Sequence, residues 1–405
     1  MKVCSDNVNA ENISIRTKCR ISSRSLIPVM KSVGIITIHK INNYGSVLQA
    51  YALQKVCMEL GFKVEIIDYQ FPNSFHTDNP YKTVNDLQPA EPRWIKLLFA
   101  RALVRQHRGI ACFVSDRLNL SECSYDSPEM LEANPPVYDV YITGSDQVWS
   151  PRYCNGDPSF MLHFSQDKAR RISYASSIGS DCIPPELEKR YIEFLSRYDA
   201  ISVREKTGVE IIKKLTNKNA KEVLDPTLLL DSHEWNELAV EHRLVKQKYI
   251  LCYFLNYTFN AFPYADEFAA DIQRQTGYRI VRVARPPHRL SLKNTGYEIG
   301  ASPEEFLALV RDAEIVLTTS FHGTAFALNY GRPVFTIVQN SSTSDSRQAN
   351  LMREMNLEKQ IVACGSPFPG YTDSHYDVES EQKQLEQLRI ESRLFLINSL
   401  GDEQD

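Results

Sequence analysis

Val33-Gly-Ile-Ile-Thr-Ile38 is an apolar, β-branched run. His39-Lys-Ile-Asn-Asn-Tyr-Gly-Ser46 follows it directly and opens onto Val47-Leu-Gln-Ala-Tyr-Ala-Leu53. The first run reads as a strand buried on both faces, and the last as the start of a helix over 46–60. Gly61 stands where a left-handed cap would close that helix. Lys63–Tyr69 then reads as a second strand. Strand, helix and strand in this order make a βαβ unit, which requires a parallel sheet and a right-handed crossover.

The alternation continues along the chain. Strand candidates lie at 140–143, 171–175, 200–203, 222–224, 248–255, 279–283, 314–318 and 333–338, with helices at 185–196, 206–215, 261–276, 303–311, 323–329 and 345–355. Ser302-Pro303-Glu304-Glu305 has the chemistry of a helix start: Ser as N-cap, Pro at N1, acid at N3. These are too many strands for one comfortable doubly wound sheet. The expected fold is therefore α/β, with two Rossmann-like domains facing a cleft. The boundaries expected are a flexible leader at 1–32, an N-terminal domain at 33–244 with an insertion at 70–135, a C-terminal domain at 245–380, and a closing helix and tail at 381–405. The leader carries no apolar core of a secretory signal, and Met30 is an alternative start.

Composition narrows the function class. Of 405 residues, 43% are hydrophobic and 24% charged, as in globular proteins. Lys and Arg number 46 against 50 Asp and Glu, so bulk charge does not suggest a nucleic-acid binder. No apolar window is long enough to span a bilayer. The nine cysteines are scattered without CxxC spacing, which points to reduced, mostly buried thiols in a cytoplasmic protein. No metal cluster and no DxD pair stands out, so no metal is expected.

Ligands of facing α/β domains sit beyond the carboxyl ends of strands, at helix N-termini. Asn42, Asn43, Tyr44 and Gly45 follow the first strand. They fit either a capped βα turn or a backbone approached by an anionic ligand. Gly144-Ser145-Asp146-Gln147 ends the strand at 140–143, where Asp146 can act as acid or base, or bind sugar hydroxyls with Gln147. Arg204 ends the strand at 200–203 and offers a planar fork for phosphate or carboxylate, or else a surface pair with Glu205. Asp225, in Leu224-Asp-Pro-Thr227, reads as a turn cap. Ser320-Phe-His322-Gly323-Thr324 places His322 at a helix entry, with Gly323 allowing close approach. Arg93 to Arg108 carries five basic residues and no acid. Its expected apolar face is Ile95, Leu98, Phe99, Ala102 and Leu103. It reads as an amphipathic surface helix or as a peripheral contact with anionic lipid.

Together, Asn43-Tyr-Gly-Ser-Val-Leu-Gln-Ala-Tyr-Ala-Leu53, Gly144-Ser-Asp-Gln-Val-Trp149, Ile172-Ser-Tyr-Ala-Ser-Ser177, Ala200-Ile-Ser-Val-Arg-Glu205, Leu224-Asp-Pro-Thr227 and Ser320-Phe-His-Gly-Thr-Ala325 resemble the polysaccharide pyruvyl transferase family. The resemblance implies a glycosyltransferase-B-like pair of domains. It implies transfer of pyruvate from phosphoenolpyruvate to a sugar hydroxyl pair as a ketal, on a surface polysaccharide or its lipid-linked precursor. No cofactor is implied beyond that donor. The resemblance also implies that Arg204 and His322 contact the phosphoenolpyruvate. Asp146 is the acid/base candidate. Asn42, Asn43, Tyr44, Gly45, Ser145, Gln147, Ser320, Gly323 and Thr324 are the expected substrate-binding residues. The competing readings are a metal-independent glycosyltransferase using a nucleotide sugar, and a non-catalytic subunit of polysaccharide assembly.

Overall fold

A computed structural model of the chain describes residues 30–81, 92–255, 259–287, 289–291, 293–340 and 347–401. The expected leader, up to residue 29, and with it Cys4 and Cys19, lies outside the described residues.

The first sheet holds β1 (Ser32–Ile36), β2 (Lys63–Tyr69), β3 (Leu120–Tyr125), β4 (Val140–Thr143) and β5 (Arg170–Ser173). It is parallel throughout, in the order β3-β2-β1-β4-β5. A short parallel pair, β6 (Ile201–Val203) and β7 (Ala220–Glu222), continues it through single bridges from Ile172 to Ala200 and from Ser176 to Val203. The second sheet holds β8 (Tyr249–Tyr253), β9 (Arg279–Val283), β10 (Thr295–Glu298), β11 (Ile315–Thr318), β12 (Val334–Val338) and β13 (Ile361–Ala363). It too is parallel, in the order β10-β9-β8-β11-β12-β13. Each sheet winds one way for three strands and then reverses, the Rossmann-like order. The fold is α/β with two Rossmann-like units, as expected.

The reversal lies between β1 and β4 in one sheet and between β8 and β11 in the other. All residues of β4, β8 and β11 are buried, as are Val33–Ile36 of β1. Strands covered on both faces need apolar side chains at nearly every position, which is why these four read as near-continuous runs.

Helices begin where the central strands end. Helix α1 (Tyr44–Glu59) starts two residues before the expected Ser46. Asn43 is its N-cap, with an extended backbone and a side chain that accepts from Gly45 N at 2.9 Å. The helix Phe321–Asn329 starts after Ser320 and is buried throughout.

Three strands absent from the sequence expectation, β3, β10 and β13, are all sheet edges. Because β3 lies within 70–135, the segment expected as an insertion supplies an edge strand of the first sheet. The basic segment divides into α2 (Arg93–Leu98) and α3 (Ala100–Arg117), with a break at Phe99. Ile95 is buried and Phe99, Ala102 and Leu103 are half-buried, but Leu98 is exposed, contrary to the expected face. The break ends the regular 3.6-residue stagger at Leu98 and leaves it pointing outward. The thiol expectation also needs correction. Cys57, Cys154 and Cys252 are buried, Cys364 is half-buried, and Cys112, Cys123 and Cys182 are exposed.

The two sheets share one hydrophobic core that runs from Val33 to Leu400. Tyr44 stacks on Phe306 at 4.6 Å, and Trp235 meets Phe326 edge-on at 5.2 Å. The C-terminal helix Val378–Leu400 returns to the first half of the chain. Arg389 Nε donates to Leu228 O at 2.8 Å, and Leu224 N donates to Ser392 Oγ at 3.0 Å. Packing therefore holds the carboxyl ends of the two sheets against each other.

Candidate active site

Arg204 follows β6, and its side chain is buried. Nη1 donates to Asp225 Oδ2 at 2.8 Å, and the guanidinium lies 4.4 Å from the centre of the Phe321 ring. Nη2 stands 4.0 Å from Asp146 Oδ1. Nε and Nη2 make no hydrogen bond. A buried guanidinium with two unused donor nitrogens is costly unless something accepts from them.

Asp225 fulfils its expected role as a cap: Oδ1 accepts from Thr227 N at 3.0 Å and from Thr227 Oγ1 at 2.7 Å. Its other oxygen does more. Oδ2 lies 2.8 Å from Ser145 Oγ, receives Arg204, and faces His322 Nε2 at 3.8 Å. Burial alone would raise this carboxyl. His322, Arg204 and the Thr227 N–H reverse that and hold it far below the usual carboxylate range.

His322 is buried at the first turn of its helix, and Nε2 makes no hydrogen bond at 3.8 Å from Asp225. Gly45 lies against the other side of the ring. A Cβ placed there would fall 2.0 Å from His322 Nδ1. The close approach that Gly45 permits is thus made by a histidine of the other half of the chain, not by a ligand. Likewise a Cβ on Gly323 would meet Thr318 Oγ1 at 2.3 Å, so this glycine serves helix-to-strand packing. Gly45→Ala is expected to overpack this seam, at a cost of about 1–3 kcal/mol in urea unfolding. It should also cut turnover at least tenfold by moving the imidazole, since small misplacements at a reacting centre are expensive. Wild-type turnover in a folded Gly45→Ala protein would remove His322 from the site.

Asp146 occupies the left-handed region at φ 73°, an uncommon conformation for a residue with a side chain. Ser46 Oγ donates to its Oδ2 at 2.6 Å, and Gln147 N donates to its Oδ1 at 2.9 Å. The loop after β4 and the first turn of α1 are thereby tied together, with the carboxylate aimed at Arg204. Gln147 Oε1 accepts from Arg347 Nη2 at 2.9 Å. Arg347 opens the helix Arg347–Glu354. Burial, then the neighbouring Arg204 cation, push its pKa down to about 10. Two guanidiniums sharing one pocket repel, and an anion between them would relieve this.

Beside this cluster lies a cleft of about 280 Å³ lined by Asn42, Asn43, Tyr44, Lys96, Gln106, Tyr253 and Arg285 among others. Asn42 Nδ2 donates to Gln106 Oε1 at 3.0 Å, and Gln106 Nε2 donates to Tyr44 OH at 2.9 Å. The structure thus brings Asp146, Gln147, Arg204, Ser320 and His322 to one side, and Asn42, Asn43 and Tyr44 to the adjoining cleft. Ser145 and Thr324 are buried, with hydroxyls engaged by Asp225 and Ala175 O and by Ser320 O and Thr336 respectively. They position the neighbours of the site. Tyr44 donates to Ala301 O at 2.7 Å and joins the two halves while one edge of it lines the cleft.

Sequence reasoning missed the second role of Asp225 and missed Ser46, Gln106 and Arg347. Only a fold that returns residues 225 and 347 to the ends of β4 and β6 shows them.

A family model described as polysaccharide pyruvyl transferase matches residues 43–341. No curated protein sequence matches the chain. Among solved structures, similarity is found to spinosyn forosaminyltransferase SpnP, at 12% identity, covering 90% of this chain and 95% of that one, with a TM-score of 0.44. It is also found to a putative UDP-N-acetylglucosamine 2-epimerase from Listeria monocytogenes, at 10% identity, 91% of each chain and a TM-score of 0.48.

Proposed function

The chain belongs to the polysaccharide pyruvyl transferase family, and from that premise we propose that it moves the pyruvyl group of phosphoenolpyruvate onto two hydroxyls of a sugar as a cyclic ketal, releasing phosphate. The observation that carries this reading is the set of buried side-chain nitrogens left without hydrogen-bond partners: Arg204 Nε and Nη2, and His322 Nε2. Phosphoenolpyruvate brings a phosphate and a carboxylate, and so can use both a guanidinium fork and a neighbouring cation.

In this reading Arg204 holds the phosphate, and Arg347 stands on the same pocket. The methylene carbon of the donor takes a proton, and the adjoining carbon becomes oxocarbenium-like. A first sugar hydroxyl adds and loses its proton. The C–O bond to phosphate then breaks, with the electron pair leaving on phosphate. The second hydroxyl closes the ketal. One of the two hydroxyl protons replaces the one taken by the methylene, and the other leaves on phosphate. Arg204 and His322 stabilise the charge growing on phosphate. Asp146, partly exposed and held by Ser46, takes hydroxyl protons. Asn42, Asn43 and Gln106 supply amide groups at the cleft for an acceptor sugar.

The test is product mass analysis after incubating the protein with phosphoenolpyruvate and galactose-, mannose- and glucose-type acceptors. The expected mark is a pyruvyl ketal on one sugar, with one phosphate released per ketal. Nucleotide release from a sugar nucleotide, with no phosphoenolpyruvate consumed, would replace this reading with glycosyl transfer.

A further inference from the structure

The break at Phe99 gives α2 and α3 an outer side that the fold does not cover among the described residues. Trp94, Leu97 and Leu98 of α2, and Arg101, Val104 and Arg108 of α3, are all exposed, and within each helix they recur at spacings of three and four. Trp94 is 58% exposed, Leu97 76%, Leu98 61% and Val104 53%. Large apolar side chains rarely stand this far into water in so tight a group. Arg93, Arg101 and Arg108 are exposed around them, and none of the three makes an ion pair or hydrogen bond among the described residues. Across 93–108 there is no acidic residue. The opposite side of the same segment is committed to the protein. Ile95 is buried and Gln106 is bonded to Asn42 and Tyr44; Arg105, beside Arg101 and Arg108 on the arginine side, is paired with Glu305 at 2.5 Å.

We propose that the outer side of α2 and α3 seats the protein on an anionic lipid surface. The indole and leucine side chains enter the interface, and the arginines bind acidic headgroups. The chemistry of this outer side argues for this occupant. Exposed apolar side chains flanked by cations, with no acid across 93–108, complement the charge and polarity of an anionic bilayer interface. Lys96, Leu103 and Gln106 on the inner side line the cleft beside Asn43, so the seat lies next to the site. No helix among the described residues is long and apolar enough to cross a membrane.

The test is sedimentation of the full chain with phosphatidylcholine vesicles, with and without phosphatidylglycerol. Binding is expected only with phosphatidylglycerol, and it should weaken as salt rises. Leu97→Ser with Trp94→Ser, and separately Arg101→Glu with Arg108→Glu, should each weaken partition by about tenfold or more. All four residues are exposed and outside the catalytic cluster, so turnover on a water-soluble acceptor should stay at the wild-type level. Equal binding to both vesicle types, or variants that sediment like wild type, would overturn the proposal. So would a dimer in solution that the Leu97 variant dissociates, because a second copy would then cover the face.

Discussion

Arg204→Ala is expected to lower phosphoenolpyruvate-dependent phosphate release by about 10²- to 10³-fold or more, the usual cost of losing a fixed donor to developing charge. The buried fork gives one nitrogen to Asp225 and leaves two unused, one of them, Nη2, 4.0 Å from Asp146. An anion fits the remaining donors, and Arg347, the other guanidinium of the pocket, has one nitrogen engaged by Gln147. Arg204→Ala also strips Asp225 of its 2.8 Å ion-pair partner, leaving a buried carboxylate with only Ser145, Thr227 and His322 around it, at a cost of up to about 3–5 kcal/mol. Lost activity could then reflect lost folding, so Arg204→Lys is the controlling variant. It keeps the charge near Asp225 but presents a point cation where two parallel donors are wanted. Its stability by urea unfolding should lie close to wild type. Its KM for phosphoenolpyruvate should rise and its kcat should fall. Arg204→Lys with wild-type kcat and KM would show that the fork is structural and that the anion binds elsewhere.

The sequence carries the central strands more clearly than the edges, for a physical reason. β1, β4, β8 and β11 are enclosed on both faces, so they are apolar at nearly every position and the runs stand out. β3 reads Leu120-Ser-Glu-Cys-Ser-Tyr125, and β10 reads Thr295-Gly-Tyr-Glu298. Such edge strands pair on one side only and face water, so their composition does not separate them from loops. The site follows the same division. Asp146, Arg204 and His322 were legible because each stands at a strand's carboxyl end or at a helix start, where the fold concentrates chemistry. Asp225 was half legible. Asp-Pro-Thr announces a capped turn, and the turn is there, but the sequence holds nothing to say that Ser145, Arg204 and His322 would arrive at its second oxygen. The glycines show a related gap. Gly45 signals close approach, yet what approaches is a residue 277 positions away (322 − 45), supplied by the second sheet. The basic helix was visible as charge, but its outward apolar side chains depended on a break at Phe99 that periodicity does not contain.

Asp225→Asn isolates the role of that second oxygen. The side chain keeps nearly its shape, but Arg204 and His322 lose their shared counter-charge. Stability at pH 7 should fall by about 3–5 kcal/mol, as for other broken buried pairs. The pH dependence has a definite sign. The folded carboxyl is held far below its ordinary value, so its contribution is complete above the unfolded pKa of about 3.9 and is lost as pH falls below it. Wild type and Asp225→Asn should therefore differ most at neutral pH, and the gap should start to close below about pH 3.9, narrowing by about 1 kcal/mol by pH 3, as urea midpoints measured from pH 7 down to pH 3 would show. A gap that stays constant across that range would mean the carboxylate charge is not what stabilises the fold. The kinetic expectation runs in two directions at once. Removing a negative charge from the floor of an anion pocket favours anion binding, so the KM for phosphoenolpyruvate should fall or hold. Arg204 and His322 are no longer held toward one point, so kcat should drop by about 10²-fold or more. A purely structural Asp225 would lower the amount of active protein and leave both constants of the surviving fraction unchanged. A site built around Asp225 requires the two constants to separate, with donor binding held or tightened while turnover slows.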